Sequence, residues 1–373
     1  MNRPRQSRKV ILANILLCGL AVLAVELFNG NWFKSDGLYD LGVPVNKTWY
    51  YHAQYRPNGP VVRVRYSRDW YGLRGSYTDP SAIAFLAVGG STTDEAFISD
   101  GSTWCDVLQE LFYNADRQVY VANAGISGHS TAGHLLSFEK WLPRIPGLSP
   151  DYTLFYVGIN DVMVDHAAYD KLQRYADTAG VVRHIQERSA LWRLYRIAKG
   201  AYQARKWDLN YQCVDFGRCN WTTNTTVVHP EETYAVAIAS YAARLDQLAR
   251  RSLAMGAIPV FVTQPRAYWR TRDGVLEGTS GTVYEGTSLN GLDIRRIQVC
   301  MDAEMKRIAG LSGGVFIDLA GEIELSQDDF FDFNHVNPSG AGKVASFLYS
   351  RLKDFPLRDR NLAHAGTPGG DGV

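Results

Sequence analysis

The chain opens with an apolar run too long and too uninterrupted for an ordinary core element. Val10 to Phe28 reads VILANILLCGLAVLAVELF, 19 residues in which only Asn14 and Glu26 are costly in hydrocarbon, and both lie near its ends. As a helix at about 1.5 Å per residue it spans roughly 28 Å, close to the thickness of a bilayer core. Arg3, Arg5, Arg8 and Lys9 precede it with no acid among them. That order predicts a single transmembrane helix over residues 1–28, its basic tail cytoplasmic and the rest of the chain across the membrane. A cleaved signal peptide is the competing reading. It wants a small-x-small site, and Glu26-Leu27-Phe28-Asn29 offers none. A lipoprotein box fails because Leu17 stands before Cys18.

Beyond this run, residues 29–80 are aromatic and irregular, with one alternating stretch, Val61 to Tyr66, that reads as an edge strand. They are expected to form a stem. From residue 81 the pattern becomes regular. Apolar strands are predicted at Ile83–Gly90, Val119–Gly125, Tyr152–Asp161, Ala257–Pro265 and Gly313–Ala320. Helical spacing separates or follows them at Thr103–Tyr113, Thr131–Trp141, Glu231–Met255, Leu289–Ala309 and Ser339–Lys353. Strand and helix in alternation imply a parallel sheet covered on both faces. One α/β domain is therefore expected over 81–355, with a helical insertion at about 162–230 and a disordered tail over 356–373.

Composition narrows the classes. Hydrophobic residues make up 46% and charged residues 21%, which excludes a disordered chain. Lys plus Arg number 39 and Asp plus Glu 38, a balance that gives no case for a nucleic-acid partner. No Cys-x-x-Cys pair or His-x-x-x-His helix is present, so neither a metal nor a cofactor is called for. Outside the cytosol, Cys213 and Cys219 could close a short disulfide loop or remain thiols; their spacing leaves both open. Within the insertion, Arg183 to Lys206 carries seven basic residues against Glu187 alone. It reads either as the solvated face of a packed helix or as a surface for anionic lipid or glycan.

Four segments follow predicted strands, and ligands of open parallel sheets bind at those carboxyl ends. In V-G-G-S-T-T, Ser91 sits in a glycine turn. N-A-G-I-S-G offers the backbone N–H of Gly125. G-I-N-D offers the amide of Asn160. In D-F-N-H, Asp332 precedes His335 by three residues, which lets the carboxylate reach one ring nitrogen while the other faces away. Together these are the parts of acyl transfer. A serine hydroxyl needs a base, the base needs an orienting carboxylate, and the tetrahedral oxyanion needs preplaced donors. Ser91, His335 and Asp332 take the first three roles. The N–H groups of Ser91 and Gly125 and the side chain of Asn160 take the last.

The ordered set resembles the SGNH, or GDSL-type, hydrolases, whose namesake Ser, Gly, Asn and His fall here on Ser91, Gly125, Asn160 and His335. The resemblance covers about residues 83–353. It implies a flavodoxin-like three-layer α/β/α sandwich on a parallel five-stranded sheet, with no cofactor. The chain departs from the pattern at Gly90, where the family often has Asp. The N-terminal span and the W-Y-G-L-R-G stretch are similar to those of bacterial membrane-anchored members. The resemblance implies an extracytoplasmic serine esterase on an ester-bearing substrate, such as a glycan or lipid. A polysaccharide O-acyltransferase with the same triad is the alternative, and a non-catalytic assembly protein is a third reading.

Overall fold

A computed structural model describes residues 3–30, 32–33, 43–161, 185, 188–206, 213–284 and 287–359. Most of the insertion expected at 162–230 before residue 188, and the tail from 360, lie outside the described residues. The chain forms two compact units, one of residues 1–40 with 173–210 and one of 41–172 with 211–373.

The first unit contains α1 (Arg3–Asn29) and α5 (Ala190–Lys206). Its stretch Lys9–Asn29, with mean hydropathy 2.5, is the one helix among the described residues long and apolar enough to cross a membrane. The two helices fasten to each other at their ends. The Glu26 carboxylate accepts from Ser189 Oγ at 2.6 Å and from the N–H groups of Ala190 and Leu191 at 2.8 and 3.1 Å. It thereby satisfies donors that every helix leaves open at its start. In return Arg193 donates to the Asn29 carbonyl at 2.5 Å, a cation at the carbonyl end of α1.

In the second unit, five strands make one parallel sheet: β3 (Ile83–Gly89), β4 (Tyr120–Asn123), β5 (Tyr152–Tyr156), β6 (Ile258–Val262) and β7 (Val315–Ile317). They lie in the order β7-β6-β5-β3-β4. Counted among themselves this is 2-1-3-4-5, the flavodoxin-like order, whose reversal falls between β3 and β5. Every residue of β3 and β5 is buried, as continuous apolar runs require when helices cover both faces.

Helices α3 (Trp104–Asn114) and α8 (Pro338–Leu352) pack together; α4 (Thr131–Lys140) and α7 (Gly291–Ser312) both pack on α6 (Ala235–Ala254). Their starts are chemically marked. Thr103 with Asp106 and Asn290 with Asp293 form reciprocal capping boxes, and Asn337 caps a helix whose first residue is Pro338. The long helix expected from Glu231 is interrupted: a turn at Pro230–Thr233 precedes α6.

The expected edge strand is half of a hairpin. β1 (Lys47–Gln54) pairs antiparallel with β2 (Val61–Arg68). A small antiparallel sheet of Trp269–Arg272, Val275–Thr279 and Trp221–Thr222 was not foreseen from the sequence. Cys213 and Cys219 are free thiols, Cys219 lying against the Asp215 carbonyl.

Candidate active site

The site forms where β3 and β5 end, at the reversal of strand order. After β3 the chain turns at Gly90 into α2 (Ser91–Asp94), a four-residue helix that closes at Glu95 with φ of 48°. Ser91 opens it. On the far side, Asn337 and Pro338 start α8 and fix the loop before it. Within that loop the Phe331 N–H donates to the His335 carbonyl at 3.0 Å, so residues 332–334 form a tight turn. The N–H groups of Asn334 and His335 donate to Asp332 Oδ1 at 2.8 and 2.7 Å, which locks the carboxylate.

The three side chains then line up. His335 Nδ1 lies 2.7 Å from Asp332 Oδ2 and 2.9 Å from Oδ1. His335 Nε2 lies 2.7 Å from Ser91 Oγ. The Phe331 ring stacks on the imidazole, 5.6 Å between centroids, and holds its plane. A hydroxyl in contact with one ring nitrogen, and a carboxylate on the other, form a relay that can take a proton from Ser91 and stabilise the resulting imidazolium.

Asn160 follows β5, fixed by its neighbour. Asp161 is buried and accepts from the Thr131 N–H at 3.0 Å, from the Thr131 hydroxyl and from Arg244 at 3.2 Å. That network joins the end of β5 to α4 and α6. Asn160 Nδ2 donates one N–H to the His129 carbonyl at 3.0 Å, leaving the second N–H of the amide for a ligand. A Cβ at position 90 would lie 3.0 Å from Asn160 Nδ2 and 3.1 Å from the His129 carbonyl. A side chain at position 90 would therefore crowd the Asn160–His129 contact beside Ser91.

Gly125 lies beneath α2, with both its backbone groups engaged. Its N–H donates to Asn123 Oδ1 at 2.9 Å, and its carbonyl accepts from Arg68. A Cβ there would fall 2.3 Å from the Asp94 N and 2.7 Å from the Thr93 carbonyl carbon. Gly125 is glycine because α2 rests directly on it, and its donor is already spent. The other glycine of N-A-G-I-S-G, Gly128, stands in an exposed turn with φ of 80°, next to the His129 that Asn160 touches.

Two arginines support α2 from behind. Arg68, at the end of β2, donates to Asp94 Oδ1 at 2.6 Å, to the Tyr66 hydroxyl at 2.6 Å and to the Gly72 carbonyl at 2.6 Å. Asp94 also accepts from Tyr66 at 2.9 Å and from Ser127 at 2.7 Å. Arg74, over the Tyr66 ring, donates to the Asp94 carbonyl, to the Glu95 carbonyl at 3.0 Å and to Asp100 at 3.0 Å. Both arginines are buried. The hairpin is therefore part of the site, in that its Arg68 holds the Asp94 side chain of the turn that carries Ser91, while Arg74, beyond the hairpin, holds that turn's last carbonyls. Arg74 was visible in W-Y-G-L-R-G, but nothing in the sequence gave it this task.

A narrow pocket opens beside Ser91 and His335, walled by Phe97, Ile98 and Phe331 and floored by Glu95. Glu95 Oε2 accepts from the Trp104 N–H at 2.7 Å, while its Oε1 has no partner. Burial pushes this carboxyl well above its ordinary range. Among the described residues no group of His, Cys, Asp and Glu could hold a metal ion.

Residues 87–343 match the GDSL-like Lipase/Acylhydrolase family. Similar solved structures include TesA, with 14% identity, TM-score 0.41, and 72% of this chain and 98% of that chain covered. Another is Axe2, an acetylxylan esterase from Geobacillus stearothermophilus, with 16% identity, TM-score 0.41, and 75% and 100% covered. The psychrotrophic esterase EstA from Pseudoalteromonas sp. shows 10% identity, TM-score 0.38, and 72% and 96% covered. No curated protein sequence matches. The family match spans more than half of the chain, so this protein belongs to the GDSL-like, or SGNH, hydrolases and is an enzyme of ester bonds.

Proposed function

We propose that this chain is a membrane-anchored, extracytoplasmic serine esterase that removes a short O-acyl group from a glycan or lipid. The observation that carries the proposal is the continuous contact from Ser91 Oγ through His335 to Asp332, each step 2.7 Å. His335 takes the Ser91 proton as the hydroxyl oxygen attacks the ester carbonyl. Asp332 holds the ring with Nδ1 protonated and balances the imidazolium charge. The oxyanion is met by the Ser91 N–H, by the second N–H of Asn160 and by the N–H of Gly128, which replaces Gly125 in this role. His335 then returns its proton to the leaving alcohol, and water releases the acyl group by the same route. The pocket walled by Phe97 and Phe331 favours a short acyl chain.

Hydrolysis is preferred to acyl transfer because transfer requires that water be kept out. The His335 and Asp332 side chains retain 15% and 16% of their surface in solvent. The basic residues before α1 and the span Lys9–Asn29 support an anchor whose catalytic part lies outside the cytoplasm.

The test is turnover of nitrophenyl acetate against longer nitrophenyl esters by wild type and His335→Ala. Acetate turnover that falls with the variant supports the reading; equal turnover by both removes His335 from the chemistry. Protease added to intact spheroplasts should digest the large unit, and full protection would reverse the orientation.

A further inference from the structure

α5 leaves its apolar side uncovered. Leu191, Leu194, Tyr195, Ile197 and Tyr202 are 40%, 61%, 52%, 62% and 69% exposed. At about 100° per residue, Ile197, Leu194, Ala198, Leu191, Tyr202 and Tyr195 fall in one arc of roughly 160°. Over residues 191–202, Lys199, Arg196 and Arg193 fall in the opposite arc, so this stretch of the helix has one oily and one cationic side. No acid interrupts it. In water such an exposed apolar strip is a liability; in a headgroup layer it is a fit, with apolar side chains down and cations beside lipid phosphates.

Position decides the occupant. α5 begins where α1 ends, because Glu26 caps its first turn and Arg193 donates to the Asn29 carbonyl at the end of α1. Glu26 lies three residues, about 4.5 Å of helix rise, before the end of the span at Asn29. The first turn of α5 is thereby fixed at the level where hydrocarbon gives way to headgroups. The helices do not continue side by side, since the span of α1 is unburied and the apolar arc of α5 is exposed. With three cations on one side, α5 cannot follow α1 into hydrocarbon.

We propose that α5 is an interfacial helix that lies in the headgroup layer of an anionic bilayer surface at the outer end of the span. The inference rests on the reading of α1 as a membrane anchor. Tyr195 and Tyr202 border the apolar arc, where amphipathic rings are favoured at a membrane interface. The Glu26 cap is then a joint that sets the direction in which the chain leaves the membrane.

The experiment uses the full-length protein in nanodiscs of phosphatidylcholine with phosphatidylglycerol, doped with a phospholipid carrying a diazirine at the top of its acyl chain. Irradiation and peptide mass spectrometry locate the adducts. Adducts on both α1 and residues 191–202 are expected. Adducts on α1 alone would overturn the interfacial helix and leave the anchor standing; adducts on neither would remove the anchor and the inference with it. Combined Arg196→Glu and Lys199→Glu should lower labelling of residues 191–202 about fivefold. Labelling of α1 and turnover of a soluble nitrophenyl ester should not change. Labelling of residues 191–202 that ignores the charge reversal would overturn the anionic preference.

Discussion

The turn that carries Ser91 and the pair of helices at the N-terminal end show two ways of fixing a side chain. Around Ser91, Arg68, Arg74 and Gly125 are all buried, and each constrains α2 from a different direction. α1 and α5 meet through Glu26 and Arg193 and expose apolar surface along most of their lengths. The difference is one of task. A nucleophile must stay within about half an ångström of its reactive geometry, so its support is redundant and internal. On the proposed reading, lipid supplies the apolar contacts of α1 and α5, so the protein need fix only where they start. Substitutions near Ser91 should therefore act on rate or stability, and substitutions along α5 on neither.

The largest effect is expected within the relay. His335→Ala should lower kcat by about 10⁴- to 10⁶-fold, and Asp332→Asn by up to about 10⁴-fold. The double variant should be little worse than His335→Ala, because both act through one proton transfer. Additive losses, read from turnover of a nitrophenyl ester, would separate the two residues.

Next comes the buried support. Arg68→Ala leaves Asp94 without its cation in a dry environment and should cost about 3–5 kcal/mol of stability, measured by denaturant unfolding. A loss under about 1 kcal/mol would mean that the hairpin merely leans on the domain. Asn160→Ala should reduce kcat about 100- to 1000-fold with little change in KM, since it removes a donor to the oxyanion. A change confined to KM would assign Asn160 to binding.

Glu95 gives a smaller effect with a definite sign. Its folded pKa is raised above the ordinary value of 4.5, chiefly by burial. A raised pKa stabilises the fold fully below the unfolded value, and that contribution is lost as pH rises through the folded value. Glu95→Gln keeps the shape and the acceptor for Trp104 without the titration. Its Tm should match wild type at pH 4 and exceed it by about 3 °C or more at pH 8. A difference independent of pH would contradict the assignment. The smallest effect is expected for Leu194→Gln on α5, within about 0.5 kcal/mol in stability and without change in turnover of a soluble ester.

Legibility followed the range of the interactions. The buried strands and the Asp332–His335 pair are local, and their residue types state them directly. Arg68 and Arg74 act on a turn some 20 or more residues away, across a strand pairing that no local pattern encodes. The N-A-G-I-S-G segment offered two glycines, and only the placement of the Asn123 side chain shows that the first has lost its donor. The hairpin at Trp269–Thr279 did carry a turn signal, Asp273-Gly274, with φ of 51° and 77°. Its flanks, Arg270, Thr271 and Arg272, are polar and gave no apolar alternation to support it.

The central claim is that Ser91 is the nucleophile, and covalent labelling tests it most directly. A fluorophosphonate should add to the purified protein once per chain, with the adduct mapped to Ser91 by peptide mass spectrometry, and Ser91→Ala should not label. His335→Ala should label far more slowly, since the hydroxyl then lacks its base. An adduct on another residue, or undiminished labelling of Ser91→Ala, would contradict the account.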